Sequence, residues 1–155
     1  MKKRLTQLGL LMVLAVLPAI LSAQAKDYYF SRTVDLSFEE TLESTKASLK
    51  DQGFGIITEI EMDKTLKEKL ENVDMKRYTI LGACNPKYAY QTLQEENNIG
   101  LFLPCKVLVK EIGEGATEVV MVNPTVLMQM LGNKELEEIA REVTERFEKA
   151  LNDID

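Results

Sequence analysis

Two Asn-Pro pairs constrain the fold of this chain most strongly, because each lies between a β-rich segment and a helical one. The first pair begins at Asn85 and follows the apolar run Tyr78–Ala83, and the second begins at Asn123 and follows Thr117–Val122. Asparagine is a favoured helix N-cap, and proline suits the first helical position because no amide hydrogen is needed there. The sequence therefore predicts two strands that each lead directly into a helix.

The remaining segments alternate between strand and helix patterns. Ser37 and Glu40 form a capping box, and Asp63 can cap a short helix in which Leu70 points inward. Periodicity predicts further strands at Tyr28–Val34, Phe54–Met62 and Val107–Ile112, a hairpin turn at Gly113–Gly115, and helices at Pro86–Glu96 and Lys134–Asn152. This pattern predicts an α+β fold with a mostly antiparallel or mixed sheet and helices packed on one face.

The first 25 residues have the pattern of a secretory signal peptide. Met1–Arg4 is basic, Leu8–Leu21 is almost wholly apolar, and Ala23–Ala25 is a small-x-small cleavage signal. The apolar stretch contains Pro18 and is shorter than the roughly 20 residues that a spanning helix needs. We therefore expect a periplasmic or extracellular protein with no stable membrane insertion after cleavage. Residues 26–155 are expected to form one α+β domain.

Composition excludes several classes of function. Without the basic residues of the leader, 16 basic residues face 25 acidic ones, and this negative charge repels nucleic acid. The chain contains no histidine, which removes the Ser-His and Cys-His nucleophile pairs and the commonest zinc ligand. No nucleic-acid partner is expected, and a hydrolase built on a Ser-His-Asp triad is excluded.

The two cysteines are the residues that helix capping leaves unexplained. Cys84 immediately precedes Asn85, where the positive end of the helix dipole would favour the thiolate and lower the pKa of the thiol. Between Cys84 and Cys105 the chain runs along the helix Pro86–Glu96 and then returns through Ile99–Cys105. If the return segment is extended, the two legs have similar lengths and nearly cancel. The two cysteines are therefore expected at the same end of the sheet, within reach of a bond.

Four interpretations of the pair remain open. Cys84 and Cys105 can form a structural disulfide, a redox-active or sulfur-carrying pair, a ligand or soft-metal site, or two unpaired buried side chains. Met121, Met128 and Met130 would suit copper, although methionine at such spacing is more often part of a core. Tyr78, Tyr88 and Tyr90 lie close to Cys84 in sequence and can line a pocket or simply pack.

Two segments resemble a known family. "GFGIITEIEMDKTLKEKL" and "YTILGACNPKYAYQTLQEENNIGLFLPCKVLVKE" are similar to the core of the domain-of-unknown-function 302 family over Gly53–Glu111. The resemblance implies a compact α+β domain that tends to dimerise, and it implies no catalytic role. Similar domains also occur without an export signal, where a permanent disulfide would not persist. The resemblance thus makes the interpretation of Cys84 and Cys105 as site residues about as well supported as the interpretation as a disulfide.

These observations favour an exported binding or sensing module of unknown ligand over an enzyme. The expected ligand-binding residues are Cys84, Asn85, Tyr88 and Cys105, and Cys84 is the candidate catalytic thiol if the protein is instead a redox or sulfur-carrier protein. A second alternative is a non-catalytic interaction protein with a disulfide. No cofactor or metal is identified. A homodimer is expected, because the hairpin around Gly113–Gly115 can leave a strand edge for a second copy.

Overall fold

A computed structural model describes residues 28–155, which form one five-stranded antiparallel sheet with helices packed against it. The signal peptide expected over residues 1–25 lies outside the described residues. Along the sheet the strand order is β1-β5-β4-β3-β2. The elements in chain order are β1 (Tyr29–Val34), α1 (Phe38–Asp51), β2 (Gly55–Glu61), α2 (Met62–Lys69), β3 (Tyr78–Cys84), α3 (Pro86–Glu95), a 3₁₀ helix (Asn97–Phe102), β4 (Cys105–Gly113), β5 (Ala116–Val122), α4 (Pro124–Gln129) and α5 (Lys134–Asn152). The α+β class is confirmed.

The predicted helix starts are present. The Ser37 hydroxyl accepts from the Glu40 amide, and the Glu40 carboxylate accepts from the Ser37 amide, which completes the capping box of α1. The side chain of Asn85 accepts from the amide of Lys87 at 3.0 Å and caps α3, and Asn123 caps α4 in the same manner. Each Asn-Pro pair therefore fixes the point where a strand turns into a helix.

The core lies on the face of the sheet that carries α1 and α5. Alternate residues of the three central strands point toward these helices and are fully buried, among them Leu81, Val107, Val109, Val119 and Met121. The apolar stripe of α5 packs against these side chains. The centre of the Phe147 ring lies 4.7 Å from the centre of the Phe54 ring. No helix within residues 28–155 combines the length and apolar character needed to cross a membrane.

The segment expected to return extended to Cys105 is helical over most of its length. Asn97–Phe102 forms a 3₁₀ helix, whose first turn is capped because the Glu96 carboxylate accepts from the amide of Asn98 at 2.8 Å. The extended prediction was wrong there because this local hydrogen bond favours a turn. Cys105 still lies level with the end of β3, because its register partner is Ala83.

Asp63 does not cap α2, contrary to the sequence prediction. Strand β2 ends at Glu61 and α2 begins at Met62, so Asp63 lies within the first turn and no loop residue is left to act as a cap. Its carboxylate is almost fully buried and accepts from the amide of Tyr78 at 3.2 Å. The inward placement of Leu70 was also wrong, because that side chain is 56% exposed.

The strands expected to offer a free edge lie inside the sheet. β4 pairs with β3 and β5, and β5 pairs with β4 and β1, so the edges belong to β1 and β2. The prediction failed because the first and second strands add to opposite sides of the central three strands. Edge pairing through the β4–β5 hairpin is therefore excluded.

Candidate functional site

A cavity of about 260 Å³ lies at the end of the sheet where β3 finishes and β4 begins. Helices α3, α4 and α5 and the 3₁₀ helix form its other walls, and one side opens to solvent. The wall is mainly apolar, with contributions that include Ile99, Phe102, Leu127, Met128 and Val143. The interior of a folded protein contains few voids larger than a water molecule, so a space of this size is a candidate site for a small molecule.

All four side chains predicted as ligand-binding residues line this cavity. Cys84 and Asn85 come from the junction of β3 and α3, Tyr88 from the first turn of α3, and Cys105 from the start of β4. Antiparallel pairing places the end of β3 beside the start of β4, which is why residues 21 positions apart in sequence meet here.

Asn85 has a structural role that is visible in its contacts. Its side-chain oxygen is used to cap α3, and its amide nitrogen lies over Gly53, where an added Cβ would be only 3.0 Å away. Gly53 has a φ of +84° and ends α1. Asn85 therefore packs closely against the residue that follows α1, and it also lines the cavity.

Tyr88 is held in place by two charged residues of α5. The Tyr88 hydroxyl donates to the Glu142 carboxylate at 2.9 Å and accepts from Nε of Arg146 at 2.9 Å. The Arg146 guanidinium also lies 5.7 Å from the centre of the Tyr88 ring. Sequence reasoning missed Glu142 and Arg146, although their spacing of four residues places both on one side of α5. The ring is thereby presented to the cavity with its polar end satisfied.

Of the four interpretations of Cys84 and Cys105, the structural disulfide is contradicted by the structure. Both cysteines are free, and their sulfur atoms are not at bonding distance. Cys105 is paired in register with Ala83, and successive side chains of a strand point to opposite faces, so Cys84 is directed away from Cys105. The two thiols are neighbours in the cavity wall without being covalent partners.

The expected lowering of the Cys84 pKa is also wrong. Burial raises the pKa of the Cys84 thiol above its ordinary value. Burial, with a smaller contribution from a charge on Cys84, raises the pKa of the Cys105 thiol to about 11. At neutral pH both groups are protonated thiols.

The residues considered for metal binding do not converge. Within residues 28–155, no group of three or more His, Cys, Asp or Glu side chains is arranged to hold a metal ion. Of the three methionines considered for copper, Met128 lines the cavity, Met121 is buried in the core, and Met130 is 77% exposed. Tyr90 is also largely exposed, and Tyr78 borders a depression on the other face of the sheet.

Sequence reasoning missed two residues at the mouth of the cavity. Lys106 follows Cys105 in β4, and its Nζ donates to the carbonyl of Pro104 at 2.7 Å. Leu101 lies in the 3₁₀ helix and is 87% exposed, although it also borders the cavity. Both residues lie in the segment that resembles the family core, but no capping or cysteine argument applies to them, and only the folded arrangement shows that they border the cavity.

The raised pKa of Cys105 predicts a loss of stability at alkaline pH. The folded state holds the thiol proton more tightly than the unfolded state, so the stabilisation is complete below the ordinary value of 9.0 and is lost as the pH rises through about 11. We expect Cys105→Ala to reduce the loss of unfolding free energy between pH 8 and pH 11 by about 2–3 kcal/mol, because a shift of one pKa unit corresponds to about 1.4 kcal/mol. Urea unfolding of both proteins at pH 8 and pH 11 measures the difference. Cys84→Ala is the control and should change the pH dependence less, while parallel profiles for wild type and Cys105→Ala would contradict the prediction.

Similarity to known proteins extends over almost all of the described chain. The family described as "Domain of unknown function DUF302" matches residues 30–154. A solved structure of an uncharacterized conserved DUF302 protein from Bacillus stearothermophilus is 32% identical, with a TM-score of 0.76. That match covers 83% of this chain and 99% of the other. No curated protein matches. The resemblance found in the segments around Cys84 and Cys105 is thus confirmed, and the chain belongs to the DUF302 family.

Proposed function

We propose that this protein is a small binding or sensing module that holds a mainly apolar molecule in the cavity beside Cys84 and Cys105. The observation that carries the proposal is the cavity itself, because its apolar wall is not filled by the side chains of the chain. An apolar cavity of about 150 Å³ accepts benzene, so one of about 260 Å³ has room for roughly ten non-hydrogen atoms. Burial of the ligand's apolar surface supplies the affinity.

The thiols support binding more than redox chemistry. A thiolate is the nucleophile in disulfide exchange and sulfur transfer, and the pKa of each thiol is raised rather than lowered. Protonated cysteines act as small, polarizable apolar groups, which suits them to the wall of an apolar cavity. A thiol redox or sulfur-carrier protein that uses Cys84 remains the competing function, and repeated turnover of a disulfide or persulfide substrate would favour it.

Occupation of the cavity is tested with 1-octanol, a neutral probe of nine non-hydrogen atoms. We expect 1-octanol to raise the melting temperature of the purified protein, because a ligand that binds only the folded state stabilises it. Ala140→Leu places a larger side chain at a buried position of the wall and should abolish the shift. Ala47→Leu, the same change at an exposed position of α1, is the matched control.

A second measurement keeps this test decisive if Ala140→Leu unfolds the protein. Bound 1-octanol should slow the alkylation of Cys84 and Cys105 in the wild type, because both thiols line the cavity. If 1-octanol changes neither the melting temperature nor the rate of alkylation, the cavity does not bind an apolar molecule and the proposed function is wrong.

We also propose that the protein is exported. The basic, apolar and small-residue segments of Met1–Ala25 support this, since their order is the one that secretory machinery reads. The mature protein should begin at Lys26, and the intact mass of the protein recovered from the periplasm or medium measures this. An unprocessed chain in the membrane fraction would contradict the proposal.

We propose further that two copies associate through the face of the sheet opposite α1 and α5. That face carries a shallow depression bordered by apolar side chains, among them Tyr29, Tyr78, Leu108 and Val120, and by three charged residues, Lys106, Lys110 and Glu118. Tyr29 is 39% exposed. Apolar side chains grouped on a sheet face that α1 and α5 leave open are typical of a surface that pairs with a partner. The dimer that the family resemblance implies would cover them.

Association through this face predicts a specific response to charge. Leu108→Glu should convert the dimer to a monomer, because it buries a carboxylate between two copies. Ile57→Glu changes a 62% exposed residue on edge strand β2 and should leave the dimer intact. Light scattering after size-exclusion chromatography measures both masses. A monomeric wild type would contradict the dimer, and dissociation by Ile57→Glu alone would place the interface at the edge instead.

A further inference from the structure

We infer that the ligand of the cavity is a single-chain amphiphile with an anionic head group, a medium-chain carboxylate, whose head is bound by Lys106 at the mouth. The inference rests on the proposed function and names the class of ligand. It depends on four observations: the charge of the mouth, the contacts of Lys106, the position of the start of α3 and the exposure of Leu101.

The charge around the cavity is opposite in sign to that of the chain. The whole sequence carries a net charge of −6, with 25 acidic residues. None of those acidic side chains borders the cavity within residues 28–155, and the one charged residue that does is Lys106. A positively charged entrance on an acidic protein favours an anion over a neutral or cationic molecule of the same size.

Lys106 is available to bind such an anion. Its ammonium group has three donors, and the described contact to the carbonyl of Pro104 uses one of them. The neighbouring Lys110, in contrast, forms an ion pair with Glu118 at 2.7 Å, whereas no carboxylate among the described residues forms one with Lys106. Lys106 leaves β4 on the open face of the sheet and also borders the depression there, and its contact to the Pro104 carbonyl holds its Nζ at the start of β4, where the cavity opens.

The start of α3 adds to the same electrostatic preference. Asn85, the N-cap of this ten-residue helix, lines the cavity, so the positive end of the helix dipole is directed toward the site. Lys87 lies in the same turn, with its Nζ 5.2 Å from the centre of the Tyr88 ring. The start of α3 and Lys106 both favour a carboxylate at the entrance, whereas Lys87 does not itself border the cavity.

The apolar part of the ligand is accounted for by the wall and by Leu101. Leu101 has the most exposed large apolar side chain in the described chain, at 87%, and it lies at the mouth on the 3₁₀ helix. A bound alkyl chain would cover it and so remove apolar surface from water. Room for roughly ten non-hydrogen atoms corresponds to a carboxylate of about eight carbons and excludes a two-chain lipid.

Calorimetry with octanoate, 1-octanol and octylamine, at neutral pH and low salt, tests the head group separately from the tail. In the wild type we expect octanoate to bind about five- to tenfold more tightly than 1-octanol, since a charge-assisted contact at a partly exposed site is worth about 1 kcal/mol. Octylamine should bind more weakly than 1-octanol. Lys106→Met should reduce the affinity for octanoate to that for 1-octanol and leave 1-octanol unchanged.

Two further variants complete the design. Lys106→Arg keeps the charge and should keep the preference for octanoate, and Lys50→Met, at an exposed position of α1, should change nothing. Equal binding of octanoate and 1-octanol to the wild type would overturn the inference and leave the proposed function standing. A loss of affinity for both octanoate and 1-octanol in Lys106→Met would likewise overturn the inference and leave the proposed function standing. Failure of all three probes to bind would overturn the inference together with the proposed function.

Discussion

The pairing of β3 with β4 is the constraint on which the site depends. Ala83 faces Cys105 in this register, so the helix that starts after β3 and the 3₁₀ helix that precedes β4 lie on the same end of the sheet. Gly82 is required for this arrangement. A Cβ at Gly82 would collide with the ring of Pro104 and with the Thr58 side chain. The absence of a side chain at Gly82 thus allows Pro104 to lie over β3 and brings Cys105 and Lys106 to the cavity.

The same register explains why the cysteines are not bonded. Loop closure alone would bring Cys84 and Cys105 together, and the sequence argument that placed them level was correct in that respect. Alternation of side chains along a strand then separates them, because Ala83 rather than Cys84 is the partner of Cys105. A shift of one residue in the register would reverse the faces, and the burial of Leu81 and Val107 in the core prevents that shift.

Features set by neighbours in sequence could be predicted, whereas features set by distant contacts could not. The capping box of α1, the two Asn-Pro junctions and the apolar stripe of Lys134–Asn152 each depend on a few adjacent residues or on helical periodicity, and each is present. The burial of Asp63 depends on the amide of Tyr78, and the position of Tyr88 depends on Glu142 and Arg146, far along the chain. Four candidate site residues were found because two short motifs carry them. Lys106 and Leu101 were missed because their role comes from the shape of the cavity.

The thiols and an anionic ligand would act on each other through charge. Burial already favours the protonated form of Cys84 and Cys105. A carboxylate at Lys106 would oppose a thiolate next to it and hold both cysteines protonated to still higher pH.

Linkage requires the reverse effect of equal size, so ionisation of either thiol would weaken binding of the carboxylate. The effect is small at neutral pH, where the thiols are protonated, and it grows as the pH rises above 9.0, the ordinary pKa of a cysteine, toward the Cys105 pKa of about 11. A soft cation in the cavity would have the opposite influence, because it stabilises the thiolate. The direction in which a ligand moves the thiol pKa therefore distinguishes an anion-binding module from a soft-metal site.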